Sequence, residues 1–431
     1  MENYCRSFRD PVHGFIPVTK AECAIVDAWP FQRLRRIRQL AMTYLVYHGA
    51  EHSRFGHSLG VMHQATRVFD AVVTKKRTQL QWPDDEIARL RQLLRVTCLC
   101  HDLGHTPFSH AGEGRGLLPA GLRHEDYSAA VVLAKGGRAG EVGRTIGELG
   151  AELHGVTCQD VASLITGQPL GAGAAFLQEI VSGQLDADRM DYLQRDSIYC
   201  GVGYGRFDND RLIETMTLTA DPVGGNPVIG IDKDGVHAAE GLILARYFMF
   251  SQVYFHAVRR AYDHHLQAFL SATLENGHYP KPDDLEEFVR FDDVKVQNML
   301  SESHNEKGVA ADHARRILER NHYRVAYETE EHPEPAEIRR WNSQLVPKVE
   351  AEFPGNVAND SAETAAQRFS EASRDFSVVQ RDPNAATRSI EEESKLISAL
   401  RPLTKIRLLA DRAQCNSVKQ FCDSLNLGVG R

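Results

Sequence analysis

The sequence predicts a mainly α-helical protein with one small β-hairpin insert and a smaller mixed α+β lobe at its C-terminal end. Three observations carry this expectation. Apolar residues recur every three or four positions through most of the first two-thirds of the chain. Two short β-prone segments, ETMTLT and PVIGI, flank a Gly-rich turn. From about residue 280 the chain is less apolar and mixes helix-like with strand-like stretches. At 431 residues it exceeds what one compact core usually holds, so the expected division is 1–278 and 279–431.

FQRLRRIRQL (31–40) sets Phe31, Leu34, Ile37 and Leu40 three apart with arginines between them, which predicts an amphipathic helix. SLGVMHQATRVFDAVV (58–73) predicts a second. DDEIARLRQLLRVTCLCHD (84–102) predicts a third. Asp84 and Asp85 suit the positive end of its dipole, and Gly104 and Pro107 break the pattern after it. Residues 134–157 are Gly-rich and read as loops around short helices. SGQLDADRMDYLQRD becomes helical from about Ala187, GVGYG (201–205) is a loop, and 238–275 is the longest helical pattern. Beyond 280, PAEIRRWNSQLVPKVEAEF reads as helix and YRVAYET, FSVVQ and TKIRLLA as strands. VANDSAETAAQRFSEASRD reads as a surface helix or flexible segment. There are no internal repeats.

Composition narrows the class. Hydrophobic residues make up 42% and charged residues 25%, as in an ordinary soluble globular protein. A net charge of −8 excludes nucleic-acid binding through overall charge, while a local basic cleft stays open. None of the eight cysteines forms a C-x-x-C pair, so no structural zinc site is expected. The N-terminus has no apolar signal region and no run spans a membrane, so a cytoplasmic protein with free thiols is expected.

The chemistry concentrates around His101-Asp102. This pair ends an apolar run, RVTCLC, where charged groups need partners or a metal. With His57 upstream and Asp188 downstream it forms a set of two imidazoles and two carboxylates. Such a set suits one borderline or hard divalent cation, with Mn, Mg, Fe, Zn and Ni all open. Arg54, three residues before His57, and Arg189, directly after Asp188, read as fork-shaped phosphate clamps.

EHSRFGHSLG, HDLGHTPFSH, RHEDYS and DADRMDYLQRD together resemble the HD-domain superfamily of metal-dependent phosphohydrolases. Within it they are similar to the deoxynucleoside triphosphate (dNTP) triphosphohydrolase branch. That branch includes bacterial dNTPases and the vertebrate enzyme joining a SAM domain to an HD domain. The match runs from Asp10-Pro11-Val12-His13-Gly14 to about Leu270, so no preceding SAM domain is expected. The resemblance implies a helical HD catalytic core, expected over 1–278; the mixed composition of 279–431 gives the expectation that this lobe serves oligomerisation or regulation. It implies a metal touching the α-phosphate and release of a deoxynucleoside and intact triphosphate. His105, His110 and His124 would line the phosphate site, with His110 or His124 as general acid to the 5′ oxygen. Glu113 and Glu125 lie close enough in sequence to orient a histidine and raise its pKa.

The same resemblance places Gln39, Leu40 and Asp196 at the deoxyribose and its 3′ hydroxyl. Tyr192 and Tyr262 would crowd C2′, and Asp263 would meet the base edge. Tyr254 falls where the SAM-and-HD enzyme carries a triphosphate-binding arginine, with Arg259 and Arg260 just beyond. Asp27, Gln32 and Arg35 match contacts to an activating nucleotide, although Arg9 replaces an asparagine of that regulatory site. The resemblance also implies a homo-oligomer, from dimer to hexamer and including a tetramer. It accommodates dNTP-pool housekeeping and antiphage defence alike. The rival functions are an HD-family nuclease, phosphodiesterase or nucleotide-signal hydrolase on the same metal site, and a nucleotide sensor without turnover.

Overall fold

The computed structural model describes residues 4–168, 170–171, 174–220, 226–363, 376–382 and 385–430. The chain opens with a hairpin that the sequence reading did not anticipate. Strands β1 (Tyr4–Asp10) and β2 (Gly14–Thr19) pair antiparallel. Asp10 closes the turn by accepting the N–H groups of Val12 and His13, a local carboxylate-to-backbone bond that competes with regular structure. Thr19 and Glu22 form a reciprocal capping box that starts α1 (Lys20–Asp27).

The helix expected over 31–40 is shorter. It consists of α2 (Trp29–Arg33) and a 3₁₀ turn ending at Arg36. Beyond that, backbone donors find tertiary partners instead of helical ones. The Arg38 N–H donates to Asp293 and the Gln39 N–H to the His52 carbonyl, and Ala41 is left-handed at φ 51°.

The long helix α3 (Arg54–Leu80) packs along α4 (Asp84–Cys100) and α9 (Ala187–Cys200). Around them lie α5 (His124–Leu133), α6 (Glu141–Glu148), α7 (Cys158–Ile165), α8 (Ala175–Ser182) and α10 (Asn209–Thr215). The expected hairpin is present as β3 (Met216–Ala220) and β4 (Pro227–Asp232).

The 238–275 pattern is not one helix. It splits into α11 (Val236–Met249), a π-helical turn Phe250–Tyr254, a break at Phe255–His256, and α12 (Ala257–Thr273). The Phe255 N–H reaches back five residues to the Phe250 carbonyl, which widens the turn.

Helices α13 (Leu285–Phe288), α14 (Asp293–Ser303) and α15 (Val309–Leu318) add Phe288, Val296, Leu300 and Ile317 to the same core as the N-terminal helices. A separate core gathers around Trp341, which is fully buried. It lies against a sheet of β5 (Arg324–Glu328), β6 (Val357–Glu363) and β9 (Thr404–Ala410) in the order β5-β9-β6, all antiparallel. Strand β6 corrects the helical or flexible reading of 357–363; residues 364–375 lie outside the described set. Strands β7 (Ser377–Val379) and β8 (Arg388–Ser389) extend the β3-β4 hairpin into a four-stranded sheet. No helix among the described residues is long and apolar enough to cross a membrane.

Candidate functional site

Three helix ends converge on His101-Asp102. Helix α4 delivers the pair at its C-terminus, α3 presents His57 in its first turn, and α9 presents Asp188 in its own. Asp186, not Asp188, caps α9 by accepting the Arg189 N–H, which leaves the Asp188 carboxylate free to face inward. The His57 Nε2 lies 2.9 Å from Asp188 Oδ1 and 3.7 Å from Asp102 Oδ2. The His101 Nε2 lies 3.2 Å from Asp102 Oδ1 and 4.0 Å from Asp188 Oδ1.

The other ring nitrogens decide the tautomers. His101 Nδ1–H donates to the Cys98 carbonyl at 2.7 Å, and a carbonyl can only accept. His57 Nδ1–H donates to Asp191 Oδ2 at 2.7 Å. Both Nε2 lone pairs therefore point at the carboxylates, buried and without a hydrogen-bond partner among the described residues. Lone pairs facing carboxylate oxygens in a buried pocket call for a proton or a metal ion between them. Burial opposes a proton on His57, yet the nearby Asp188 and Asp191 carboxylates raise its pKa to about 10, so a metal at Nε2 takes the place of a proton. The four side chains thus fit a divalent metal.

Asp191 was not among the residues selected from sequence. It accepts from His57, from His13 Nε2 at 2.6 Å, and from both Nε and Nη2 of Arg195 at 2.8 Å. Arg195 also donates to Asp10. This ring of buried charges fixes the His57 imidazole, as second partners of metal-bound histidines do. The signal was present in DADRMDYLQRD: Asp188, Asp191 and Arg195 stand three and four apart on one helix face.

Beside the ligand set, Glu113 gathers three imidazoles. Its Oε1 accepts from His105 Nδ1 at 2.6 Å, and its Oε2 lies 3.0 Å from His110 Nδ1 and 3.4 Å from His124 Nδ1. His105 and His124 stack at 3.8 Å. Their charge states differ. Burial, Arg54 and His124 pull His105 down to about 3, so it is neutral. Burial also opposes a proton on His124, but Glu113, then Glu125 and Asp102, hold it above the usual imidazole range. The His110 side chain is 64% exposed against 16% for His124, so solvent competes for its bonds.

The loop carrying these histidines is held by residues far away in sequence. Asp293 on α14 accepts the Phe108 N–H at 2.7 Å and the Arg38 N–H at 2.9 Å. Phe108 and Ser109 are both left-handed, at φ 58° and 56°, and such strain persists only where surroundings impose it. Buried Arg33 donates to the Leu103, His105 and Phe291 carbonyls. Arg54 donates to Asp102 Oδ2 and to the Ser109 hydroxyl.

Arg54, His101, Asp102, His105, His110, His124, Glu125 and Asp188 line one cavity of about 470 Å³, of which His57 and Glu113 are not lining residues. Gln39, Leu40, Arg189, Tyr192, Asp196, Tyr254, Arg259 and Arg260 line it as well, and Arg246 and Phe250, not selected from sequence, join them. Asp196 receives Tyr254 Oη at 2.6 Å and faces His52 Nε2 at 2.7 Å. Arg189 donates to the Gly183 and Gln184 carbonyls at the cavity wall. Tyr262 and Asp263 are not among the lining residues. Tyr262 is fully buried against His322, and Asp263 pairs with Arg259 at 3.3 Å. Away from the cavity, Gln32 donates to the Val26 carbonyl, Arg35 donates to Gln32, and Asp27 pairs with Arg6 at 3.8 Å.

A second histidine cluster, His264, His265 and His313, is differently disposed. The Tyr323 N–H donates to His265 Nε2, which places that ring's proton on Nδ1, facing His313 Nδ1 at 2.9 Å. The nitrogen a metal would need is already protonated.

The HD domain family matches residues 54–196, from the Arg54 that anchors Asp102 to the Asp196 at the far wall of the cavity. The chain belongs to the HD-domain phosphohydrolase family. The HD associated region matches 207–410, which includes Arg246, Tyr254 and Asp293. The HD protein is 41% identical over 255 residues to the uncharacterized protein YwfO of Bacillus subtilis, across 59% of this chain and 52% of that protein. It is 30% identical over 328 residues to the deoxynucleoside triphosphate triphosphohydrolase SAMHD1 homolog of Dictyostelium discoideum, across 74% and 59%. The chain spans about half the length of the curated relatives it matches. Among solved structures, a hypothetical protein from Aquifex aeolicus is 30% identical with a TM-score of 0.77, covering 96% of this chain and 99% of that one. A phosphohydrolase from Bacteroides thetaiotaomicron is 26% identical with a TM-score of 0.72, covering 94% and 100%.

Proposed function

We propose that this HD protein is a metal-dependent dNTP triphosphohydrolase, cleaving its substrate into a deoxynucleoside and triphosphate. One observation carries the reading. Three of the four proposed ligands (His101, Asp102 and Asp188), the three histidines that Glu113 gathers, five arginines and the Gln39–Tyr192–Asp196–Tyr254 wall share a single cavity of about 470 Å³, a volume suited to one small molecule.

His57, His101, Asp102 and Asp188 would hold the metal, which when bound neutralises phosphate charge and lowers the pKa of water. Arg54, already fixed by Asp102 and Ser109, offers a rigid cation at the α-phosphate end. Arg189, Arg246 and Arg259 supply charge further along the triphosphate. Water adds its oxygen to the α-phosphorus as the bond to O5′ breaks. His124, kept protonated by Glu113 and Glu125, delivers the proton that O5′ needs. Neutral His105 spaces and orients that ring. At the sugar end, Asp196 still has lone pairs for a 3′ hydroxyl after serving His52 and Tyr254, and Tyr192 crowds C2′.

The test is chromatography of products after incubation with Mn²⁺ and each dNTP, singly and mixed, beside Asp102→Ala. The expected products are deoxynucleoside and triphosphate, absent with the variant. Pyrophosphate or inorganic phosphate as the released anion would overturn the cleavage position. Turnover of single-stranded nucleic acid but of no dNTP would transfer the site to the nuclease reading. The proposal extends to a cytoplasmic homo-oligomer with an activating nucleotide at Asp27, Gln32 and Arg35. It serves pool control or antiphage defence. Turnover in the mixture that exceeds the sum of single dNTPs, and a light-scattering mass above one chain, are the expected results.

A further inference from the structure

Of the eight cysteines only Cys5 is exposed, and its sulfur lies 3.5 Å from that of Cys23. The contact joins two elements, β1 and α1. It arises from an irregularity in the strand: the β1–β2 register slips between Tyr4 and Arg6, so Cys5 is the residue without a partner across the hairpin. A bulge of this kind re-aims the side chain it carries, and here it meets α1. One residue and one helical turn on, Arg6 pairs with Asp27 at 3.8 Å. The thiol pair and the ion pair are successive rungs between the same strand and helix.

We propose that Cys5 and Cys23 are a redox-modification site, closing into a reversible intrachain disulfide when the protein meets a hydroperoxide. Exposed Cys5 reacts first: its sulfur takes oxygen from the peroxide, giving a sulfenic acid and releasing water or an alcohol. The Cys23 sulfur then attacks the Cys5 sulfur, the S–O bond breaks, and the hydroxide leaves as water with the Cys23 proton. Two thiols are oxidised and one peroxide is reduced. Burial, and then the neighbouring Cys5, push the Cys23 thiol up to about 11, which disfavours Cys23 as the first target; its resolving role rests on the 3.5 Å approach of the two sulfurs. The remaining six sulfurs are buried or half-buried; Cys158 and Cys415 donate to the Gly143 and Val325 carbonyls.

The experiment uses the full chain, reduced, desalted, treated with hydrogen peroxide, and titrated for thiols after denaturation. Free thiols should fall from eight by two. A proteolytic fragment should link Cys5 to Cys23 with a mass two hydrogens lower, and dithiothreitol should restore all eight. The oxidised protein should melt higher, because the cross-link restricts the unfolded chain, and Cys23→Ser should show neither change. Retention of all thiols, a Cys5-linked dimer, or a Cys5 bridge to any other cysteine would overturn the proposal. The readouts are chemical, so their failure leaves the hydrolase reading untouched.

Discussion

The two ends of the cavity are built in different ways. At the metal end, His57 and Asp188 sit in the first turns of regular helices and His101-Asp102 directly follows the end of α4. Three of them are fixed by a partner: Asp191 for His57, the Cys98 carbonyl for His101, Arg54 for Asp102. At the sugar end, Gln39 follows a broken helix and Tyr254 sits in a π-helical turn. Tyr192 and Asp196 come from regular α9, but they face these two irregular segments, and the Asp196 carboxylate is held by Tyr254 and His52. The metal end is defined by donor chemistry, which tolerates few residue types. The sugar end is defined by packing, which many residue types satisfy. Substitutions at the first should therefore be severe and act on metal or kcat. Those at the second should be milder and act on KM.

The largest effect is expected for Asp102→Ala. Activity should fall by roughly 10³-fold or more as the ion and its water activation are lost. Elemental analysis should find metal at background. Arg54 would be left buried without its carboxylate, at a stability cost of about 3–5 kcal/mol. A variant that keeps metal and turnover would remove the distinction between the two ends.

Glu113→Gln should come next. With three imidazoles released from one carboxylate, kcat should drop by about 10²–10³ while metal content stays at the wild-type level. Loss of metal in this variant would mean that the histidine cluster belongs to the ligand set. Asp191→Asn should weaken metal affinity by roughly 10–100-fold, read by competition with a chelator.

Asp293→Asn tests the clamp on the loop. An amide cannot accept from both the Phe108 and Arg38 N–H groups through its NH₂, so kcat should fall by about tenfold with little change in KM. Its pH signature is separate. Burial raises Asp293 to about 7, against the pull of those two N–H groups. The folded state then binds more protons than the unfolded one between about pH 4 and 7. The contribution is present in full below the unfolded value and is lost as pH rises through 7. Between pH 5 and pH 8 the wild type should lose about 2 kcal/mol more stability than Asp293→Asn, measured by urea denaturation at both pH values.

The smallest effects form a pair at the sugar end. Arg246→Ala should raise KM by about tenfold through one lost charged contact, with kcat unchanged. Tyr262→Phe should leave both constants within about twofold, since its hydroxyl lies away from the cavity. The reverse order would show that substrate binding repacks α12.

Much of the metal end could be read before any fold was known. His101-Asp102 after RVTCLC is an anomaly in an apolar run, and such anomalies have few explanations. Asp191 was equally available, as a carboxylate three residues after Asp188 and four before Arg195, but surface helices carry the same pattern and only burial separates the cases. The start of α4 at Asp84 and that of α9 at Ala187 were predictable from local sequence, while α3 runs four residues earlier and seven later than the 58–73 pattern. The stop at Arg36 was not, because the Arg38 N–H goes to Asp293, 255 residues away. The break at Phe255–His256 and the strand at Val357–Glu363 depended likewise on partners remote in sequence.

By itself the sequence determined the helical class, the hairpin insert, the donor set for a divalent ion, and the supply of histidine and arginine around it. These follow from local periodicity and from the scarcity of residues that can do such chemistry. Only the tertiary structure decided that Asp191, His13 and Arg195 support His57, that Glu113 rather than Glu125 gathers the three imidazoles, and that Arg246 enters the cavity while Tyr262 does not. Those outcomes depend on distances of a few ångströms between segments far apart in the chain. Such distances are set by how whole helices pack, and no window of sequence contains them.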